Sequence, residues 1–317
     1  MAVKKSQAPV RPVVWTIPRR PLGAHMSIAG GIDLALERGA AVGCSAIQIF
    51  TKSSNQWAAR PLPEDEIERF RQARARTGIG EVVAHDSYLI NLCSPDEGQF
   101  TRSLEAYAEE LQRCDRLGIE DLVTHPGSHM GKGAEFGVGR LVEAIDEMHR
   151  RLPDLRARIV LETMAGQGGA VGARFEEIAA VLARVRRPDR LGICFDTCHV
   201  FAAGYELRTR AGYDDTLRRF DGEVGLARLR AVHVNDSKKD LGCRVDRHEH
   251  IGKGYLGLEA FRLLMNDDRL RGVPFLLETP KEEDCREDVE NLTTLMGLVA
   301  GDAPGTRRRG ARRATTA

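Results

Sequence analysis

Between residues 22 and 278 a short, apolar, β-branched run gives way to a stretch with helical spacing, and it does so eight times. The runs are 22–27, 45–50, 81–85, 121–125, 158–162, 191–196, 231–235 and 273–278. Strands that alternate with helices build a parallel sheet, because each helix must cross back over the sheet before the next strand begins. Eight such units predict a (β/α)8 TIM barrel, which typically needs about 250 residues; the chain has 317. An open, doubly wound sheet is the other architecture that alternation permits. It would carry a phosphate-binding glycine fingerprint after the first strand, and Gly30-Gly31 is too short for that.

The helical stretches are legible from spacing. Phe100, Leu104, Tyr107, Leu111, Cys114 and Leu117 form one stripe with Gly118 as its stop, and Phe175, Ile178, Leu182 and Val185 form another. Pro63 followed by Glu64, Asp65 and Glu66 marks a helix start, where acids suit the positive end of the helix dipole. Leu258, Phe261 and Leu264 give a further stripe.

The third to eighth runs end on His85, His125, Glu162, Asp196, His233 and Glu278. One such residue at a strand end ordinarily caps or hydrogen-bonds. Six in succession are different, because a closed barrel gathers its C-terminal strand ends on one rim, where this fold builds its sites. His199 lies three residues beyond Asp196, and Asp246 and His248 are two apart, a spacing that puts both on one side of an extended loop. Five histidines, two aspartates and two glutamates without a thiolate suit zinc, iron or manganese. Nine donors exceed what one ion takes and predict two or three ions, with a bridging carboxylate.

Charge is unevenly spread. Lys and Arg total 47 against 46 Asp and Glu, a net charge of +1, which excludes a globally basic nucleic-acid binder. Ten of the basic residues lie in segments 1–20 and 303–317, which hold no acid, so residues 21–302 keep 37 basic against 46 acidic residues, or −9. Both segments lack periodicity and read as disordered tails flanking one domain, 21–302. Seven cysteines without C-x-x-C spacing predict free thiols in a reducing cytoplasm. No apolar run approaches a membrane span, and residues 1–20 lack the apolar stretch of a signal peptide.

Eight stretches, in order, resemble the endonuclease IV family of apurinic/apyrimidinic (AP) endonucleases. They are G-A-H-M-S-I-A-G-G (23–31), F-T-K-S-S-N-Q-W (50–57), H-D-S-Y-L-I-N-L (85–92), H-P-G-S-H (125–129), L-E-T-M-A-G-Q-G (161–168), D-T-C-H-V-F-A-A-G-Y (196–205), H-V-N-D-S-K (233–238) and R-V-D-R-H-E-H-I-G-K-G (244–254). The resemblance implies a TIM barrel with three zinc ions. His85, His125 and Glu162 would hold the first; Glu162, bridging, with Asp196, His233 and Glu278 the second; His199, Asp246 and His248 the third. It implies hydrolysis, by metal-bound hydroxide, of the phosphodiester 5′ to an abasic site in duplex DNA, leaving a 3′-hydroxyl and a 5′-deoxyribose phosphate, with Glu162 as the central catalytic ligand. A monomer is the family expectation. Three zinc ions would add +6 and bring the −9 domain to about −3. Tyr88 and Leu89 match the position that wedges into DNA at the lesion. Asn55 stands where another bacterial member has an arginine that enters the base stack, which predicts weaker or differently distributed lesion binding. His25, His129 and Gln167 lie in matching motifs without an assigned role. Two other readings stay open: a metal-dependent sugar-phosphate isomerase or epimerase on the same barrel, which needs fewer ligands, and a non-catalytic DNA-damage binder, which would not need a complete ligand set.

Overall fold

A computed structural model describes residues 20–300. Eight parallel strands close into a barrel in the order β1-β10-β7-β6-β5-β4-β3-β2. They are β1 (Leu22–His25), β2 (Ala46–Phe50), β3 (Glu81–His85), β4 (Asp121–Thr124), β5 (Arg158–Glu162), β6 (Leu191–Asp196), β7 (Leu229–His233) and β10 (Phe275–Leu277). Two short strands, β8 (Asp236–Ser237) and β9 (His248–Glu249), pair antiparallel outside the ring. The helices are α1 (Ile32–Ala41), α2 (Glu64–Thr77), α3 (Glu97–Leu117), α4 (Ala134–Arg151), α5 (Phe175–Arg184), α6 (Thr197–Ala203), α7 (Arg210–Glu223), α8 (Gly257–Met265) and α9 (Arg286–Gly297). The closed ring excludes the open-sheet alternative. No helix among the described residues is long and apolar enough to cross a membrane.

The eight sequence runs each overlap a barrel strand, with edges shifted where local chemistry demands it. β10 starts at Phe275 rather than 273: Pro274 has no N–H for the ladder, and Val232 N donates to its carbonyl instead, at 2.9 Å. β7 runs 229–233 rather than 231–235, and β6 meets it through a register shift between Ile193 and Cys194. α3 is bounded as its sequence implies. The Asp96 side chain accepts from Gln99 N, and Gly118 closes the helix at φ 68°, a conformation glycine adopts without strain.

Each strand presents alternate residues to two cores. The outward set, including Ile47, Ile49, Val82, Ala84, Leu122, Ile159, Leu161, Ile193 and Phe195, packs under the helices. The inward set is a small cluster of Ala46, Val83, Val123, Val160, Cys194, Ala231 and Leu276, one residue from each strand but β1. β1 contributes Gly23 there. A Cβ on Gly23 would sit 1.7 Å from the Ala46 carbonyl oxygen, so only hydrogen fits.

Two expectations are corrected. Leu258 is exposed on α8, whose buried side is Ala260, Phe261, Leu263, Leu264 and Met265. Arg20, expected in the N-terminal tail, is buried: its guanidinium donates to the carbonyls of Leu264 at 2.9 Å, Met265 at 2.5 Å and Asp267 at 2.9 Å. Those carbonyls at the end of α8 need donors, and an arginine fork supplies them. The rest of the expected tails, 1–19 and 303–317, lies outside the described residues.

Candidate metal centre

The site is the next inward layer of the barrel. Two residues beyond each inward core residue the same strand face recurs, and those positions are His25, Gln48, His85, His125, Glu162, Asp196, His233 and Glu278. The small apolar cluster is therefore the floor of a polar ring. Six members of the ring are the strand-end residues that the sequence singled out. His25 from β1 and Gln48 from β2 complete it.

Glu162 is fully buried at the centre. Its Oε2 lies 3.2 Å from His85 Nε2 and 3.4 Å from His125 Nε2; its Oε1 lies 3.0 Å from His233 Nδ1 and 3.1 Å from His199 Nδ1. His233 Nδ1 also faces Glu278 Oε2 at 3.2 Å and Asp196 Oδ2 at 3.8 Å. Beside the ring, Asp246 lies between two histidines, 3.2 Å from His199 Nε2 and 3.3 Å from His248 Nε2. Donor atoms of His85, His125 and Glu162 lie within 4.8 Å of one another, as do those of Glu162, Asp196, His233 and Glu278. A third set joins His199 and His248 to Asp196, and a fourth joins Asp246 and His248 to Cys198. The donors read from the sequence include no thiolate. Burial pushes the Cys198 thiol up to about 12, so it sits there as a neutral S–H.

The elements outside the ring are fixed by local hydrogen bonds. Asp196 caps α6 through its Oδ1, which accepts from His199 N at 2.7 Å, and this aims His199 back at the ring. Asn235 Nδ2 donates to Asp196 Oδ2 at 2.8 Å, and Asn235 Oδ1 accepts from Glu278 N at 2.8 Å. The segment with Asp246 and His248 is held by Gln167, whose Oε1 accepts from Asp246 N at 2.9 Å. Asp236 holds the following turn: its carboxylate accepts from the backbone N–H groups of Gly252, Gly254 and Leu256. His129 shapes the β4–α4 loop, its Nδ1 accepting from Gly131 N at 3.2 Å and Gly133 N at 3.1 Å.

The donor set and its orientation fit metal ions. His199 Nε2 and His248 Nε2 are buried and lack a hydrogen-bond partner among the described residues, although carboxylate oxygens stand close by. Donor atoms that converge on a point between them, rather than on each other, suit a bound cation. The opposite ring nitrogens are committed. His85 Nδ1 bonds Asp86 O at 2.9 Å, His199 Nδ1 bonds Thr163 O at 2.9 Å and His248 Nδ1 bonds Glu278 O at 3.2 Å. A carbonyl only accepts, so each Nδ1 carries the hydrogen and each Nε2 is free to ligate. Without cations the charges compensate within the cluster. Burial disfavours charge on Glu162, but the charges of His233 and His125 outweigh it and hold the carboxyl well below its usual range. Burial likewise opposes charge on His199, yet Asp196 pushes it well above the usual histidine value.

The three residues expected to meet DNA lie on loops at the same rim. Tyr88 is 62% exposed and packs by its edge on Phe50 at 5.4 Å, beside the rings of His85 and His125 at 5.9 and 6.2 Å. Leu89 is half-buried, Ile90 belongs to the core, and Asn55 is exposed on the β2–α2 loop.

A family model described as a xylose isomerase-like TIM barrel matches residues 36–295. A probable endonuclease 4 of Geobacter sulfurreducens is 52% identical over 278 residues, covering 88% of this chain and 94% of its own length. One from Chloroflexus aurantiacus is 50% identical, covering 88% of this chain and 98% of its own length. The crystal structure of endonuclease IV from Thermus thermophilus superposes with a TM-score of 0.78 at 37% identity, over 88% of this chain and 98% of that one. A D-tagatose 3-epimerase-like protein shares the fold at 18% identity and a TM-score of 0.67, covering 88% of this chain and 98% of that one. The chain belongs to the endonuclease IV family, within the xylose isomerase-like TIM barrels.

Proposed function

We propose that the protein is an AP endonuclease of DNA repair that hydrolyses the phosphodiester 5′ to an abasic site in duplex DNA and holds three zinc ions. The observation that carries this reading is Glu162. One fully buried carboxylate spans two donor sets, with histidine nitrogens at 3.0–3.4 Å from both of its oxygens. His85 and His125 with Glu162 would hold one ion; Asp196, His233 and Glu278 with Glu162 a second; His199, Asp246 and His248 a third. Bound zinc would lower the pKa of a water and take up charge on the phosphate and the leaving 3′-oxygen. The chain's own residues set ion spacing through Glu162, orient ligand nitrogens through backbone carbonyls and exclude water by burial. Tyr88, with Leu89 behind it, is placed to fill space in a base stack opened at the lesion. Asn55 reaches the same rim with a shorter, uncharged side chain.

A sugar isomerase or epimerase would use fewer ligands. The third donor set, supplied by α6, the segment before β9 and the first residue of β9 rather than by the ring, favours the nuclease. A complete donor set likewise speaks against a purely binding role. Seven free thiols, six of them buried, suit a reducing cytoplasm, and we take the protein to act as a monomer. Incubating the purified protein with a duplex carrying one synthetic abasic site, with zinc measured on the same sample, tests the reading. Incision 5′ to the site with about three zinc ions per chain is expected. Intact DNA beside fully metallated protein would sink it.

A further inference from the structure

Gln48 stands in the ring where the other barrel positions carry ionisable groups, and it is fully buried. Its amide makes three contacts. Oε1 is 2.7 Å from His233 Nε2, and Nε2 is 2.6 Å from Glu278 Oε1 and 3.0 Å from His25 Nδ1. The orientation is forced. A carboxylate offers only acceptors, so the amide NH2 must face Glu278, and the amide oxygen must then face His233. An oxygen there accepts a hydrogen from His233 Nε2, which leaves Nδ1 as the ring nitrogen turned to the carboxylates of the second donor set.

His233 is the exception that gives this weight. His85, His199 and His248 surrender Nδ1–H to backbone carbonyls and present Nε2. His233 is turned the other way: its Nδ1 lies among Glu162, Asp196 and Glu278 at 3.0, 3.8 and 3.2 Å. Its Nε2 has the side chain of Gln48 in place of a backbone carbonyl. The same amide occupies one oxygen of Glu278 and leaves Oε2 turned to His233 Nδ1.

We propose that Gln48 is the positioning residue of the second donor set, fixing the ring nitrogen that His233 presents and the oxygen that Glu278 presents. His25 supports it by accepting the second amide hydrogen, which keeps the amide from flipping. The role toward metal rests on the zinc reading above, whereas the hydrogen bonds of Gln48 to His233 and Glu278 stand on the protein alone.

Two measurements on full-length protein test it, using Gln48→Met, which keeps volume but removes both polar atoms, and Gln48→Ala, which removes the amide without filling the space. Nitrogen-15 imidazole spectra of zinc-loaded protein report which nitrogen of His233 carries the hydrogen. The wild type should show Nε2–H and both variants a mixture. Chelator titration of zinc-loaded protein should release one ion of the three about 10–100-fold more readily in the variants, with the other two unchanged. An unchanged tautomer or an unchanged chelator curve in the variants overturns the proposal. Wild type that takes up no zinc yet shows a hydrogen-bonded His233 Nε2–H, with that hydrogen bond lost in the variants, would refute the metal reading and leave the assignment of Gln48 to His233 standing.

Discussion

Glu162 is in contact with four histidines and water reaches none of it, so its charge has nowhere else to act. Replacing it with glutamine keeps the shape and removes the charge. An amide nitrogen would then face at least one histidine nitrogen that now meets an oxygen, and one ligand common to two donor sets would be lost. We expect Glu162→Gln to lower abasic-site incision by about 10³-fold or more, equivalent to ~4 kcal/mol of barrier. The circular dichroism spectrum should stay that of a folded barrel, because the floor beneath the ring and the core under the helices do not involve this side chain. Incision at the wild-type rate would remove Glu162 from the bridging role. Neighbouring residues show why some positions read clearly from sequence and others did not. Residues that end a strand-like run, such as His85 and Glu162, stand out because the apolar pattern stops at them. Gln48 lies inside the run Ala46–Phe50, where one polar residue resembles ordinary alternation. His25 ends β1 within a glycine-rich motif, and its meaning appears only when Gln48 and Glu278 are brought beside it.

At the level of elements, the two rim loops that carry Asn55 and Tyr88 share one anchor in α3. Glu110 forms an ion pair with Lys52 at 3.0 Å, both side chains about 1% exposed, and its Oε1 also accepts from Ser87 N at 3.1 Å. Lys52 Nζ donates onward to Gln56 O at 2.7 Å, and Arg113 Nε and Nη2 donate to Thr51 O at 3.0 and 2.6 Å. One helix thus sets the height of both loops over the ring. Burial favours the neutral form of Glu110 and pushes its carboxyl up, against the pull of Lys52. Removing either partner strands a charge in the interior, so Lys52→Ala or Glu110→Ala should each cost about 3–5 kcal/mol in urea unfolding. The apolar double variant Lys52→Met/Glu110→Leu should recover most of that stability while binding abasic duplex more weakly than wild type, because neither loop keeps its tether. Single variants within ~1 kcal/mol of wild type would show that the pair does not behave as a buried one. Helix and strand order were legible from periodicity, down to the stop at Gly118. This clamp was not, since Lys52 and Glu110 belong to different elements and no spacing rule links them. Leu258 misled for the converse reason: it fits the helical period, but the neighbouring Ala260 and Leu263 take the buried side of α8.

For the whole molecule the question is how an acidic barrel meets a polyanion. Residues 21–302 hold 46 acidic against 37 basic residues, while 303–317 hold five arginines and no acid. Many of the barrel's arginines are already paired on its surface, as Arg69 is with Asp65 and Arg158 with Asp121 at 2.8 Å, which leaves them less able to neutralise phosphates. The ring and Asp246 beside it contribute four carboxylates, and three zinc ions would add +6 at the rim. Local attraction at the lesion would then come from metal, and longer-range attraction from the arginine-rich segment. These two sources separate in a salt titration. Each phosphate neutralised by a side chain releases counterions and steepens the fall of log K with log salt by ~0.9. Deleting residues 303–317 is therefore expected to flatten that slope for abasic duplex, by about 4.5 when all five arginines engage phosphate. The incision rate at saturating DNA should be unchanged, since no donor of the ring lies in that segment. The two slopes compared over the same salt range decide it. Coincident slopes would place the phosphate contacts on the barrel and leave the terminal arginines without a part in DNA binding.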